Sequence, residues 1–177
     1  MWRRLACSAI SSAAIQVHGV DVVPELIDKA NKEGDSSFQV LAYEDLSQDT
    51  IQKKFDVVVC NFSLLGKESV IKVFESVPEL LNDDGYFIVQ TIHPIAGCGD
   101  ETYVDGWRKG SWTGLSNGFT NPPPWYFRTL DTWKSLFLKN GLTLHKIIEP
   151  IHPETNVVAS IIFVGRSSLK QVKIKND

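Results

Sequence analysis

The chain has 177 residues, 43% of them hydrophobic, which favours one globular domain around a single core. A net charge of -3 and a pI near 5.8 argue against a general nucleic-acid or membrane-surface binder. The short basic tail Lys170, Lys173, Lys175 reads as a solvated terminus, and no apolar run approaches membrane-spanning length. Cys7, Cys60 and Cys98, odd in number and widely spaced, fit reduced thiols of a cytoplasmic protein better than a disulfide frame. Together with the four histidines they show no metal-ligand spacing, so no metal is expected.

Residues Met1 to Ala14 are rich in Arg, Ser and Ala and carry no acid, which resembles an organelle presequence. The favoured reading is a helix with Leu5, Ala6, Ala9 and Ala13 near one face. Ile15 to Val20 then reads as an apolar strand that delivers Asp21 to the mouth of a helix. Pro24 suits that helix's first turn and Gly34 its end, with Val23, Ile27 and Ala30 forming a narrow apolar stripe. Phe38 to Ala42 is a strand, with Tyr43, Glu44 and Asp45 at its carboxyl end. A short crossover, Ser47 to Lys54, leads to a nearly all-apolar strand, Phe55 to Cys60, as expected where helices bury both faces of a parallel sheet.

Val70, Val73, Phe74 and Val77 recur at helical spacing, and Pro78 is expected to break or kink that helix. Asn82 to Gly85 is a turn signal before a strand over Tyr86 to Thr91. Pro94 to Phe127 then breaks the rhythm with six of the twelve glycines, four of the eight prolines and three of the five tryptophans. Such a segment, about 94–128 in all, reads as a lid or substrate loop, with a purely structural excursion as the alternative. Thr129 is the expected N-cap of a helix carrying Leu130, Trp133, Leu136 and Phe137, which closes at Asn140-Gly141. Leu142 to Glu149 and Val157 to Gly165 form an antiparallel hairpin. The alternation indicates a doubly wound α/β sheet in one domain spanning 1–177.

Five segments carry a more specific resemblance: HGVDVVPELIDKA from His18, AYEDL from Ala42, FDVVVCNFSLL from Phe55, LLNDDGYFIVQTIHP from Leu80 and WYFRTLDTWKSLFLKNGL from Trp125. In that order and spacing they resemble the class I S-adenosylmethionine-dependent methyltransferases. The resemblance implies a Rossmann-like sheet, mostly parallel with a C-terminal antiparallel hairpin, and S-adenosylmethionine as cofactor. By it, Asp21 would hold the cofactor ribose, Val22 would pack on the adenine, and Tyr43 and Glu44 would border the adenine edge. Asn61 and Phe62 would lie near the methionine moiety or the transferring methyl. The family's first strand and acidic glycine-rich turn have no counterpart between Met1 and His18, where no G-x-G occurs; Trp2 to Leu5 aligns with the helix just after that turn. The chain thus reads as truncated before the glycine-rich loop, with a missing first strand leaving sheet edges that favour self-association.

Methyl transfer relies on orientation, and a base is needed only if the acceptor arrives protonated. His93, beyond the Tyr86 to Thr91 strand, is the candidate base or substrate contact; the alternative is a loop histidine bonded to backbone beside Pro94. Asp21 could instead be a helix-capping acid, and Asn61 could simply end its strand. Trp107, Trp112, Trp125 and Tyr126 could wall an acceptor pocket, with Arg128 meeting an anionic substrate group, or form a satellite cluster under the loop. The leading expectation is methyl transfer to a small-molecule acceptor, with no nucleic-acid or membrane partner. The alternatives are a truncated, methyltransferase-like interaction or degenerate protein that binds no cofactor, and a nicotinamide-binding domain. The C-terminal hairpin counts against the last.

Overall fold

The computed structural model describes residues 15–32, 36–111 and 121–167, in two compact units, Met1–Leu46 and Ser47–Asp177. The expectations for Met1 to Ala14, Gly34, Trp112 and the lysine tail lie outside the described residues.

In the first unit, β1 (His18–Asp21) pairs in parallel with β2 (Ser37–Val40), from His18 opposite Ser37 to Asp21 opposite Val40. The crossover is α1 (Pro24–Asn31), with Pro24 in its first turn, where a missing N–H has no consequence. Asn31 closes the unit. Its side-chain amide donates to Phe38 O (3.2 Å) and its oxygen accepts from Phe38 N–H (3.1 Å). A 3-10 turn, Tyr43–Asp45, follows β2.

The second unit opens with a single helical turn, α2 (Gln48–Ile51), fixed by a capping box in which Ser47 and Thr50 satisfy each other's backbone N–H. Then come β3 (Phe55–Asn61), α3 (Glu68–Leu80) and β4 (Leu81–Ile92). After them lie α4 (Pro94–Cys98), β5 (Gly106–Arg108), β6 (Trp125–Phe127), α5 (Leu130–Lys139), β7 (Leu142–Ile148) and β8 (Ser160–Ser167). The main sheet has the order β3-β4-β8-β7. β3 and β4 run parallel, whereas β8 is antiparallel to both β4 and β7, as the expected hairpin requires. Within the irregular segment, β5 and β6 form a separate antiparallel ribbon.

Three local expectations change. α3 runs through Pro78 to Leu80, so Pro78 does not break the helix, because a proline in the last turn removes only one helical hydrogen bond. The Asn82 to Gly85 turn is absorbed into β4 as an irregularity: Phe55 pairs with Leu81 but Val57 with Tyr86, and Asp84 takes φ 62°. The all-apolar β3 is not buried on both faces either. Val57 and Val59 stay about half exposed among the described residues.

The core of this unit is aromatic. Phe74 of α3 meets Phe87 edge-on at 5.1 Å and Phe137 of α5 at 4.9 Å, while Trp133 stacks on Phe163 at 6.0 Å. Gly165 of β8 is required for this packing, since a Cβ there would lie 2.5 Å from the Phe137 ring. Phe74 is fully buried, so Phe74→Ala removes a ring at the junction of α3, α5 and β4. The expected loss is about 3–5 kcal/mol of unfolding free energy in urea titration; a loss under about 1 kcal/mol would contradict this account of the core.

Candidate functional site

In open α/β sheets, ligands bind beyond the carboxyl ends of parallel strands. Each unit offers one such end. In the first, Asp21 ends β1, and its Oδ1 accepts the N–H of Val23 at 3.1 Å, shaping the entry to α1. Its backbone carbonyl accepts from Leu41 N–H at 3.0 Å, tying it to the exit of β2. The next residue, Val22, is 62% exposed, Tyr43 is half-buried and Glu44 is exposed.

In the second unit, Asn61 ends β3, and its side-chain Oδ1 is buried without accepting a hydrogen bond among the described residues. Phe62 follows in the left-handed region at φ 48°, with its N–H held by Gln90 O at 2.9 Å. A non-glycine residue there is strained by about 1–3 kcal/mol, which persists only where the surroundings enforce it. Phe62 leaves its side chain 43% exposed.

Beyond β4 lies a recess lined by Leu64, Thr91, His93, Trp125, Arg128 and Trp133, among others. Its free volume is about 10 Å³, room for about one water, so a larger molecule enters only if a wall gives way. His93 is buried, with both ring nitrogens engaged. Nδ1 accepts from Ile95 N–H at 3.2 Å, capping α4, and Nε2 meets Glu149 Oε1 at 2.9 Å. The backbone-bonded histidine beside Pro94, one of the two readings of the sequence, is thus present.

Arg128 is only 3% exposed. Its two terminal nitrogens donate to successive carbonyls, Gly66 O and Lys67 O, each at 2.8 Å. The guanidinium lies over the Tyr126 ring at 4.8 Å and the Trp133 ring at 5.3 Å. Burial pulls it below its ordinary pKa, against opposing pulls from Tyr126, Asp105 and Glu68. Trp107 is 55% exposed and packs edge-on against Tyr126 at 5.5 Å, outside the recess lining.

A family model described as a methyltransferase domain matches residues 5–118, more than half of the chain. The chain belongs to the methyltransferase family. No curated protein matches this methyltransferase. Among solved structures it resembles a Listeria monocytogenes protein assigned as an S-adenosylmethionine-dependent methyltransferase, at TM-score 0.68 and 18% identity, over 87% of this chain and 81% of that one. A Methanosarcina mazei S-adenosylmethionine-dependent methyltransferase matches at TM-score 0.66 and 13% identity, over 93% and 87%. The 1,6-didemethyltoxoflavin-N1-methyltransferase of Burkholderia thailandensis, solved with 1,6-didemethyltoxoflavin and S-adenosylhomocysteine, matches at TM-score 0.65 and 14% identity, over 92% and 66%. The shared fold is the Rossmann-like α/β fold expected from the sequence.

Of the sequence candidates in the second unit, His93, Trp125, Tyr126 and Arg128 come together at the recess. Glu149, the partner of His93, escaped notice because 56 residues separate them and no local motif joins them. Arg108 also went unmarked. It donates to Thr102 O (2.8 Å) and Val104 O (3.1 Å), pairs with Glu101 (3.2 Å) and covers the Phe127 ring, pinning the chain between α4 and β5.

Because Nδ1 of His93 accepts from a backbone N–H, its neutral ring carries the proton on Nε2, facing Glu149. Nitrogen NMR of the His93 ring in the neutral form should show the Nε2–H tautomer. The Nδ1–H tautomer would contradict the arrangement.

Proposed function

We propose that this methyltransferase-family chain transfers the methyl group of S-adenosylmethionine to a small-molecule acceptor. The observation that carries the reading is the buried Asn61 Oδ1, without a partner among the described residues, at the carboxyl end of β3 beside left-handed Phe62. A buried acceptor left unmade costs about 1–3 kcal/mol, and a ligand's N–H or ammonium group offsets it. This chemistry fits the methionine portion of the cofactor, and an exposed apolar Val22 beside a strand-end Asp21 fits an adenine ring and a ribose.

S-Adenosylmethionine, when bound, supplies a methyl carbon on a cationic sulfur that is already activated as a leaving group. The chain's own part is to orient, to exclude water and to accept a proton where the acceptor carries one. Asp21 would accept from the ribose hydroxyls, Val22 would pack on the adenine, and Tyr43 and Glu44 would border its edge. Asn61 and Phe62 would receive the methionine end. On the acceptor side, Trp125 and Tyr126 wall the recess and Trp107 stands beside Tyr126. His93 has the layout of a base oriented by a carboxylate: Glu149 holds Nε2, and Nδ1 exchanges its long bond to Ile95 N–H for the acceptor's proton. The aromatic lining supports a small-molecule acceptor, as does the Burkholderia relative solved with 1,6-didemethyltoxoflavin.

Calorimetric titration with S-adenosylmethionine and S-adenosylhomocysteine tests the donor assignment. Saturable binding is expected, weakened about tenfold or more by Asp21→Ala and by Asn61→Ala, which is about 1.4 kcal/mol each. A folded chain that binds neither removes the donor reading, and unchanged affinity in a variant removes that residue from the site. With an acceptor in hand, His93→Ala should lower kcat by about 10²-fold or more at unchanged donor affinity. An unaltered kcat would show that His93 is no base.

A further inference from the structure

We infer that Arg128 is a positioning residue that holds the donor-side loop Phe62 to Lys67 in its strained form, rather than the partner of an anionic acceptor group. The inference rests on the donor reading of Asn61 and Phe62 above, but its structural half stands without a ligand.

The loop between β3 and α3 is fastened at both ends. At its start, Phe62 N–H is bonded to Gln90 O at 2.9 Å. At its end, three successive carbonyls are gripped from β6 and the residue after it. Leu65 O accepts from Tyr126 N–H, and Gly66 O and Lys67 O accept from the two arms of Arg128, all at 2.8 Å. By comparison, the first helical bond of α3 to the same Lys67 carbonyl, from Ile71 N–H, is long at 3.4 Å. A Cβ at Gly66 would displace the Ser69 hydroxyl from its present rotamer.

At the first of these anchors sits Phe62 at φ 48°, a conformation an L-residue abandons unless its surroundings over-determine it. A planar guanidinium bridging two adjacent carbonyls supplies that constraint in a way a point-charge ammonium cannot. Arg128 is itself locked in place, buried between the Tyr126 and Trp133 rings, with no carboxylate at ion-pair distance among the described residues. Two of its five N–H groups are committed to backbone, and at 3% exposure the guanidinium offers an acceptor anion little surface. Arg128 itself lies beyond the span matched by the family model, which ends at residue 118, whereas the loop it grips lies within that span.

The test is Arg128→Lys, which keeps the charge and loses the fork, read by amide hydrogen exchange and by calorimetry with S-adenosylhomocysteine. Phe62 N–H should exchange at least tenfold faster, while core amides such as Val89 and Phe163 keep their protection. S-Adenosylhomocysteine affinity should fall at least tenfold, with no acceptor present. Arg128→Ala gives a second measurement: millimolar guanidinium should restore part of the lost Phe62 protection, and sodium at the same ionic strength should not. Unchanged Phe62 exchange overturns the inference. So does uniform acceleration of all amides, which would make Arg128 a general stability residue. If the unaltered chain binds no S-adenosylhomocysteine, the donor reading fails by itself, and the Phe62 exchange still decides whether Arg128 sets the loop.

Discussion

Strands β3 and β4 run parallel from Val57 opposite Tyr86 to Asn61 opposite Gln90, so both leave the sheet at the same edge. That register sets where chemistry can occur in the second unit. It delivers Asn61 and Phe62 from one strand and Thr91, Ile92 and His93 from its neighbour. The pairing persists because the face of β4 that carries Phe87 and Val89 is covered by the aromatic packing of α3 and α5. Apolar burial of this kind is the dominant favourable term in folding. Here it also fixes the floor on which the polar end of the sheet is built.

Polar groups at that edge are held by backbone more than by one another. His93 caps α4, and its backbone N–H reaches Ala159 O at 3.0 Å, so one residue joins β4, α4 and the approach to β8. Arg128 does the same for β6 and the loop after β3. A guanidinium bonded to carbonyls and covered by two rings exchanges hydration for fixed dipoles and π-faces. This explains how a cation can be buried without a carboxylate in contact. It also means that the aromatic wall of the recess and the loop after β3 are mechanically one piece.

The alternation of strands and helices was legible in the sequence because it rests on local periodicity. The α5 helix with its Thr129 cap, the two strands of the terminal hairpin and the acid that ends β1 each follow from patterns among near neighbours in sequence. Pro78 misled because the rule against interior proline loosens in a final turn, and the Asn82 to Gly85 signal because a turn can be absorbed as a bulge. The site was less legible. His93 was visible, but its carboxylate lies 56 residues away. Arg128 was visible too, as a cation among aromatics. Its partners are carbonyls, which every residue has and which therefore leave no trace in the sequence. The left-handed Phe62 is likewise a property of its anchors and not of its own side chain.

The central claim is that the carboxyl end of β3 receives the methyl donor. Hydrogen–deuterium exchange of the chain with and without saturating S-adenosylhomocysteine tests it most directly. The account predicts slowed exchange localised to the segment from Asn61 to Lys67 and the residues flanking Asp21. A folded chain whose exchange there is the same with and without the ligand would contradict it.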